Sequence, residues 1–527
     1  DTFECTVPYP LTLPSSLYFQ SGEDYRLVYY LPMFSVPKCV LILTASYPPL
    51  IGERAVDLVY MNIWASYITQ ECQEIIDYSA VVGNKVSISA NRRRLKVEIQ
   101  GFTSSIVKVI DRLVERMRSC MHLSDQKVFD SLLKFYQKTL DNSYYHGSAD
   151  EIADSVLTNI VYQDMQGVEG AITLAREQVS HQGYVAFLQK MYSKLFLEFY
   201  LAGYMDRQSV DTTIDKFRSF FKALSPYTVY PPSDQQEERI LKVPDHSTLL
   251  YHHYLPSEEH LNCALKVGYQ MDKNDNTRAY TYILYQFLTE PFFTEFRTEH
   301  QLGYHCEVDY QVYKGNYMLT LMVVSNALPT HQISAMITDF LQRQYAVLQS
   351  MDEEDFQDIL QSSLAALNKM PVNILENATL YYEREVSSHH YDPFHSTLEH
   401  TEKVIGKATL SSVLDYYQQN ILSTPRRVEV HVVSTEGREG HDRDTLARLS
   451  AQDKDRAVLS YTGKREEMYA QGSLPDYYSI GNEQSIKLFQ TIGERKDTDM
   501  DTERIDREDR QRSRSKGIMK EETFHSK

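Results

Sequence analysis

The sequence predicts an α+β protein with two homologous domains, each built from a mixed sheet flanked by helices. Three observations support this class. The chain has 527 residues, of which 42% are hydrophobic, and this is enough for more than one buried core. Helix periodicity and strand periodicity both occur along it. The order strand, helix, two strands, several helices and a closing strand occurs twice, which indicates two copies of one fold of roughly 200 residues each.

The first copy follows a proline-rich lead-in at 7–16. KCVLILTAS (38–46) is a continuous apolar run typical of a buried strand, and a helix is predicted from about 53 to 76. RRRLKVEIQG (92–101) alternates apolar and polar residues, as a half-buried strand does. An amphipathic helix is predicted next, because apolar residues recur at helical spacing. These residues are Ile106, Val109, Ile110, Leu113, Val114 and Met117.

Two helix starts and a closing strand complete the first domain. Ser148 and Glu151 have the spacing of a capping box, and Asp206 precedes a helical pattern as an N-cap residue does. LFLEFYLAG (195–203) predicts an apolar closing strand. The first domain is therefore predicted to span 1–225, followed by a proline-containing linker at 226–238.

The second domain, predicted to span 239–435, repeats this order. A helix is predicted over 276–300, and Lys314, Gly315 and Asn316 give a hairpin signal between two strands. The strand patterns lie at 261–270, 304–313, 317–325 and 428–434. A second helical stripe is formed by Ile333, Met336, Ile337, Phe340 and Leu341.

The character of the chain changes in its last part, 436–527. From 493 onward, acidic and basic residues are densely mixed with almost no apolar anchor. Such a segment cannot bury enough surface to offset its ordering entropy, so we predict a charged, disordered tail. A charged helix or an interaction arm is the alternative.

Composition limits the function classes. The net charge of −18 argues against nucleic acid and anionic membranes as partners, and no run of about 18 apolar residues predicts a membrane span. The six cysteines lie far apart without a C-x-x-C pair, which is typical of a reducing compartment, and a cytoplasmic location is expected. The chain opens on Asp1 rather than methionine, which favours a processed or partial product.

Histidine clusters suggest a metal site, but their spacing argues against one. His395, Glu399 and His400 resemble H-x-x-E-H with one residue too many between the histidines. Ligands at i and i+5 lie about 140° apart on a helix and cannot converge on one ion. His300 and His305 have no neighbour that completes a metal site. Neither H-E-x-x-H, G-x-S-x-G nor a glycine-rich phosphate loop occurs, so no self-contained catalytic centre and no metal site are predicted in this chain.

The segment FRTEHQLGYHC (296–306) lies at a predicted corner between helix and strand. If the helix ends near Gln301, Gly303 suits a left-handed C-cap and Arg297 lies in the last turn. Arg297 and Tyr304 are about two helical turns apart and would then lie close together. A guanidinium and a phenol are both donors that suit a carbonyl oxygen or an oxyanion. The alternative is that Arg297 pairs with a neighbouring carboxylate and Tyr304 packs.

The same segment carries a family resemblance. EPFFTEFRTEHQLGY (290–304) resembles the insulysin/pitrilysin/nardilysin family of zinc metallopeptidases, the insulin-degrading enzyme-like group, whose pattern is R-T-x-x-Q-L-G-Y. The fixed positions are met by Arg297, Thr298, Gln301, Leu302, Gly303 and Tyr304. Segments at 17–32, 71–102 and 424–434 are similar to the family in the same order. The resemblance covers about 7–435 and corresponds to the C-terminal half of such a protein.

The resemblance implies two α/β-roll domains, as in the non-catalytic half of an insulinase-type clamshell. The middle, third-repeat domain would be 1–225 and the C-terminal, fourth-repeat domain 239–435. In this family the N-terminal half carries zinc on H-x-x-E-H and a distal glutamate, whereas the C-terminal half has the same fold without metal. Zinc is therefore implied in an N-terminal half that this chain does not contain, and no cofactor is implied here.

The resemblance also implies roles for three residues. Arg297 and Tyr304 would hold the substrate backbone near the scissile carbonyl, and Phe293 would line the adjacent pocket. The chain would then be the substrate-chamber half of a zinc metalloendopeptidase, inactive alone. Its partners would be peptide substrates and the zinc-bearing N-terminal half, and homodimer formation is left open. The alternative is a catalytically inactive pseudopeptidase that binds peptides or serves as a scaffold.

A third hypothesis is a regulatory polyanion site at Arg426 and Arg427. Two adjacent arginines before a strand are also typical of surface or edge charges.

Overall fold

The structure, a computed structural model, describes most of the chain between 17 and 434 and two short segments beyond it. The described residues are 17–30, 36–50, 54–120, 125–162, 167–230, 240–243, 245–256, 261–271, 274, 276–313, 316–369, 371–382, 396–423, 425–434, 457–462 and 477–478.

Strands and helices alternate much as the sequence predicts. The strands are β1 (Leu17–Ser21), β2 (Tyr25–Tyr30), β3 (Lys38–Ser46), β4 (Lys85–Ala90), β5 (Arg94–Phe102), β6 (Lys194–Gly203), β7 (Thr228–Val229), β8 (Ile240–Leu241), β9 (Ser247–Tyr254), β10 (Cys263–Gln270), β11 (Cys306–Tyr313), β12 (Asn316–Ser325), β13 (Arg426–Val433), β14 (Ala457–Thr462) and β15 (Tyr477–Tyr478). The helices are α1 (Ala55–Glu71), α2 (Gln73–Val81), α3 (Thr103–Ser119), α4 (Gln126–Tyr145), α5 (Ala149–Val161), α6 (Val168–Glu177), α7 (His181–Lys190), α8 (Arg207–Leu224), α9 (Thr277–Phe293), α10 (Thr330–Gln349), α11 (Glu353–Leu367), α12 (Ile374–Tyr381), α13 (Ser396–Ile405) and α14 (Leu410–Tyr417).

The two large sheets share an arrangement of five strands. In the first sheet the strand order is β4-β5-β3-β6-β2-β1, with β7 beside β6, and in the second it is β11-β12-β10-β13-β9-β14. The first five strands of each order correspond, whereas the edge strands β1 and β14 differ in direction. In the five corresponding strands of each sheet, β2 is parallel to β6 and β9 is parallel to β13. The other neighbouring strands among these five are antiparallel. The prediction of two copies of a mixed sheet flanked by helices is confirmed.

The local predictions for the first copy hold closely. All six apolar residues of the predicted stripe are buried on α3, and β5 alternates between buried and half-buried residues along its length. Asp206 caps α8, since its side chain accepts a hydrogen bond from the Ser209 amide. The capping box at Ser148 is wrong, however, because α5 begins there without a side-chain cap.

The chain divides into two compact units that are not contiguous in sequence. The first contains the described parts of Asp1–Gly147, Gln166–Glu238 and Leu364–Gly406, and the second those of Ser148–Met165, Arg239–Ser363 and Lys407–Lys527. The contiguous domains predicted from sequence therefore differ from the structure at two segments. The segment Ser148–Met165 contributes α5 to the second unit, and the segment Leu364–Gly406 contributes α12 and α13 to the first.

The physical reason lies in the apolar face of each exchanged helix. On α5, Ala153, Leu157 and Ile160 are buried against Val428 and Val430 of β13, in the second unit. Helix α12 packs against β3 and β6 of the first unit, where Ala378 is fully buried. Since burial of apolar surface is not directional, a helix packs on whichever sheet presents an uncovered apolar face.

The predicted linker and tail are partly wrong. Within the linker, β7 pairs in parallel with β6. Within the tail, β14 pairs in parallel with β9 in the second sheet. The sequence of β14, AVLSYT, has the apolar and β-branched residues of a strand, and β9 offers it an edge. Most of the tail, including everything from 479 onward, lies outside the described residues.

Strand β13 buries polar as well as apolar side chains. Val428, Val430 and Val432 contribute to an apolar core. Among the intervening residues, the Arg427 guanidinium lies 2.9 Å from the Glu429 carboxylate, whose other oxygen lies 3.0 Å from His431.

Arg427, Glu429 and His431 are each at most 1% exposed. Thr330, Ser334 and Thr338 of α10 join this network through hydrogen bonds. Arg426 is also buried and pairs with Asp245. The two arginines are therefore not surface charges, and the polyanion hypothesis is wrong for Arg427.

Candidate functional site

The candidate residues lie where α9 ends. The chain continues from α9 directly into a π-helical turn, Thr294–Glu299. Here the His300 amide donates to the Glu295 carbonyl at 2.9 Å, which is the i→i+5 bond of a π-helix. Pro291 lies inside α9 one turn earlier and has no amide to donate, which weakens the regular bonding just before the turn. The predicted helix over 276–300 is thus confirmed in extent, but its last turn is widened.

The inner side of this turn is firmly anchored. Phe296 is fully buried, and its ring stacks on Phe292 with the ring centres 4.3 Å apart. The buried Glu295 carboxylate accepts two hydrogen bonds from the Arg343 guanidinium of α10, at 2.9 and 2.6 Å. Such a bidentate pair fixes orientation as well as distance. The buried side of the turn is therefore fixed by an aromatic stack and an ion pair.

The outer side presents the three candidate residues together. Phe293 and Arg297 are four residues apart and share one face. The guanidinium carbon of Arg297 lies 4.8 Å from the ring centre of Phe293 and 5.7 Å from that of Tyr304. Phe293 is 39% exposed and Tyr304 is 91% exposed, so the cluster faces solvent. The structure therefore places a cation between two exposed aromatic rings.

The polar groups of this cluster have no hydrogen-bond or ion-pair partner among the described residues. Within the described part of the chain, no carboxylate pairs with Arg297 within 4.0 Å, and neither its guanidinium nor the Tyr304 hydroxyl makes a hydrogen bond. The alternative of a structural ion pair with a packed tyrosine is therefore wrong. The cluster offers several N–H donors, an O–H donor and two ring faces to a ligand.

The loop 301–305 positions Tyr304 differently from the prediction. Gln301, not Gly303, has the left-handed backbone, with φ of 51°. Gly303 is required for another reason: a Cβ there would lie 1.9 Å from the carbonyl oxygen of Val324 in β12. The Leu302 amide donates to the Phe296 carbonyl at 3.0 Å and the Leu302 side chain is buried. The loop is thus pressed against the sheet immediately before Tyr304.

The cluster has no reactive group of its own. Burial raises the pKa of the neighbouring Cys306 thiol to about 11, although the Arg297 charge acts in the opposite direction. The thiol is therefore neutral near pH 7 and a poor nucleophile. No group of three or more histidine, cysteine, aspartate or glutamate side chains in the described residues is placed to hold a metal ion. His395 of the H-x-x-E-H-like segment lies outside the described residues.

One residue beside the cluster makes contacts that the sequence does not predict. His305, for which the sequence indicates no metal site, lies 3.0 Å from the Asp150 carboxylate and 3.2 Å from the Glu307 carboxylate. Asp150 lies 155 residues away in the chain, in the first turn of α5. No local signal could have revealed this contact, because it depends on where α5 packs.

Two further findings concern the whole described chain. Cys39, Cys72, Cys120, Cys263 and Cys306 are free and buried. Among the described residues, none of the helices combines the length and apolar character that crossing a bilayer requires.

Comparison with protein families gives two matches. Residues 20–169 match the middle or third domain of peptidase M16. Residues 283–382, which include the candidate cluster, match domain 4 of the C-terminal lobe of PqqF-like proteins, described as PQQ synthase PqqF-like.

Curated relatives match the chain at low identity. Human insulin-degrading enzyme is 21% identical over 345 residues, which cover 64% of this chain and 33% of the relative. A nardilysin-like protein of Arabidopsis thaliana is 20% identical over 381 residues, covering 70% and 36%. The matched part thus spans about a third of the length of these relatives.

Solved structures share the fold. Pitrilysin superposes with a TM-score of 0.68 at 16% identity, covering 81% of this chain and 44% of that one. The peptidase M16 inactive domain from Pseudomonas fluorescens superposes with a TM-score of 0.53 at 13% identity, covering 80% of this chain and 98% of that one.

Proposed function

We propose that this chain is the substrate-chamber half of a zinc metalloendopeptidase. The premise is that the chain is an insulinase-type M16 protein and corresponds to the C-terminal half of its relatives. In this role it binds the peptide backbone near the scissile bond. Zinc and the water it activates would lie in an N-terminal half outside this chain. The chain's own residues bind and orient the peptide.

The observation that supports this role most directly is the exposed cluster of Phe293, Arg297 and Tyr304. The guanidinium is held between two rings without a carboxylate partner among the described residues, so its donors are available to a peptide carbonyl. The Tyr304 hydroxyl offers a second donor nearby. Donors that are already oriented lose little entropy on binding, and they stabilise a developing oxyanion more than a freely rotating side chain does. Phe293 supplies an apolar surface for an adjacent side chain.

The proposed roles can be tested with Arg297→Ala and Tyr304→Phe in the full chain. Each variant is mixed with a zinc-bearing half from a matching relative, and cleavage of a peptide of about ten residues is followed by mass spectrometry. Loss of one preorganised donor should lower turnover about 10²-fold. Matched controls are Arg54→Ala and Tyr78→Phe, which change exposed residues of the first unit. Normal turnover in both cluster variants would show that the assigned roles are wrong.

The second candidate function is a catalytically inactive peptide-binding or scaffold module. It is favoured by the similarity to an M16 domain described as inactive, which the chain covers almost completely. This function predicts peptide binding by the chain, measured by fluorescence anisotropy, but no cleavage after a zinc-bearing half is added. A cytoplasmic location and the absence of nucleic-acid and membrane partners stay predictions, as does homodimer formation.

A further inference from the structure

His305 follows Tyr304 directly and has a carboxylate at each ring nitrogen. Nδ1 lies 3.0 Å from the Asp150 carboxylate, and Nε2 lies 3.2 Å from the Glu307 carboxylate. Asp150 belongs to α5 and Glu307 to β11, so the ring joins two elements. The three side chains are between 28% and 44% exposed, which leaves the ring accessible to protons from solvent.

The charge of the imidazole decides whether both contacts are favourable. An imidazolium has two N–H groups and can donate to both carboxylates. A neutral ring has one N–H group and one lone pair, so one of the two carboxylates must face an acceptor. The Asp150 contact has the geometry of a hydrogen bond, and the Glu307 contact is an ion-pair distance without one, so the charged ring makes both contacts attractive.

The backbone of the same loop shows why this bridge matters for Tyr304. The Val324 amide donates to the His305 carbonyl at 2.9 Å, which fixes residue 305 to β12. Gly303 is pressed against the Val324 carbonyl on the other side. Tyr304 lies between these two points with its ring exposed and its hydroxyl unbonded within the described structure. Its orientation therefore depends on the residues that flank it.

We propose that His305 is a positioning residue for the peptide-binding cluster. Its imidazolium bridges Asp150 and Glu307 and thereby holds Tyr304 beside Arg297, so that peptide binding weakens as the pH rises through the range in which histidine loses its proton. This inference rests on the proposed function and adds pH regulation to the same site.

Other ionisable groups on the flanking elements could contribute to a pH dependence. They are Glu151 and Asp154 on α5, Asp309 on β11, Lys266 on β10, Arg297, Glu299 and His300 on and after the π-helical turn, and Cys306. Histidines are the side chains that ordinarily change charge between pH 5 and 8, and the Cys306 thiol remains neutral there because burial raises its pKa to about 11. Lys266 pairs with Asp154. His300 and Asp309 therefore need control variants.

The two carboxylates near the bridge differ in their pKa shifts. Burial raises the pKa of Asp150, but hydrogen bonds, first from Ser148, and the His305 charge outweigh it and lower that pKa overall. Asp150 thus stays ionised above pH 5. The pKa of Asp309 is raised, chiefly by burial, with the Glu307 charge acting in the same direction. Asp309→Asn separates that effect from the effect of His305.

The position of the loop can be measured without any peptide. Hydrogen exchange of the segment 300–306 is followed by mass spectrometry at pH 5.5 and pH 8, with correction for the intrinsic exchange rate. In the unmodified chain, protection against exchange should be roughly three- to tenfold lower at pH 8 than at pH 5.5, because the loss of two partly exposed ion pairs changes an opening equilibrium by about that factor. His305→Gln should show the lower protection at both pH values. His300→Gln and Asp309→Asn should keep the dependence, because their side chains lie outside the bridge.

Peptide affinity is then measured on the same variants. The probe is a fluorescently labelled peptide of about ten residues without histidine and with a blocked amino terminus, so that only the protein titrates. Affinity should fall between pH 5.5 and pH 8 by a factor similar to the loss of protection. His305→Arg keeps a cation with several donors at every pH, and should therefore bind equally well at both pH values.

The outcomes separate the two proposals. If His305→Gln retains the pH dependence of both exchange and affinity, the positioning role is overturned. If the exchange behaves as expected but Arg297→Ala and Tyr304→Phe bind peptide normally, the role of His305 in holding the loop is supported. The proposed peptide-binding function is then overturned. If exchange and affinity change together and His305→Arg removes the dependence, both proposals are supported.

Discussion

Replacing Gly303 with alanine places a methyl group where the backbone of β12 already lies. The added Cβ would be 1.9 Å from the Val324 carbonyl oxygen and 3.1 Å from the carbon of the same group. Real Cβ contacts are essentially never shorter than 3.0 Å, so the loop must move by about 3.0 − 1.9 = 1.1 Å. Backbone atoms cannot rotate away as the end of a side chain can, so the loop itself must move.

This displacement is large enough to affect Tyr304. A shift of about 1.1 Å would stretch the 2.9 Å hydrogen bond between the Val324 amide and the His305 carbonyl beyond 3.5 Å. A misplacement of about 1 Å typically lowers catalytic turnover about 10²-fold. Under the proposed function, Gly303→Ala should therefore lower turnover with an added zinc-bearing half by that factor. Overpacking of this kind should lower the free energy of unfolding by only about 1–3 kcal/mol.

The assay combines turnover with urea unfolding, so that loss of binding geometry is distinguished from loss of the fold. Gly406→Ala is the matched control. Gly406 follows α13 directly, and a Cβ there would lie 3.4 Å from the Glu402 carbonyl oxygen of that helix. This variant should leave turnover unchanged. Turnover of Gly303→Ala within about threefold of the unmodified chain, a difference of less than 1 kcal/mol, would refute the reasoning, because Tyr304 would then tolerate the displacement.

Two further predictions concern buried charges. Arg427→Met removes the Arg427 guanidinium from the fully buried Glu429 carboxylate. Urea unfolding should show that the free energy of unfolding falls by about 3–5 kcal/mol, and the double variant Arg427→Met with Glu429→Leu should show a smaller fall. Equal losses of unfolding free energy in the two variants would contradict this account. Burial alone would raise the pKa of the Asp24 carboxyl, but hydrogen bonds and the charge of Arg218, 2.7 Å away, lower it overall. Its contribution is therefore present above the unfolded value of about 3.9 and is lost as the pH falls through the lower folded value. The stability difference between the unmodified chain and Asp24→Asn should accordingly shrink below about pH 4, and a difference that is constant with pH would contradict it.

The predictions from sequence were best where the signal was local. The stripe on α3 was predicted residue by residue, and so was the buried run of β3. Both signals follow directly from the period of the element and from one-sided or complete burial. The polar residues of β13 were harder to place, because alternation does not distinguish a solvated face from a buried ion-pair network. Only the packing of α10 over that face makes the distinction.

The candidate cluster was partly accessible from sequence. Tyr304 was predicted to lie near Arg297 at the helix end, and the structure brings the two side chains together, whereas Phe293 was named only through the family resemblance. The position of the left-handed residue was wrong, because Gln301 adopts it while Gly303 is needed for a close approach to β12. A glycine signal alone does not separate these two requirements.

By itself, the sequence determined the type and order of most elements and the two-fold repetition of the fold, since periodicity acts over a few neighbouring positions. The three residues of the exposed cluster were identified together through the family resemblance. Tertiary structure alone decided which sheet each helix covers. It also decided that β14 extends the second sheet, and that His305 meets a carboxylate 155 residues away. The physical reason is that burial and ion pairing depend on distance in space, and the sequence carries no direct record of contacts between distant segments.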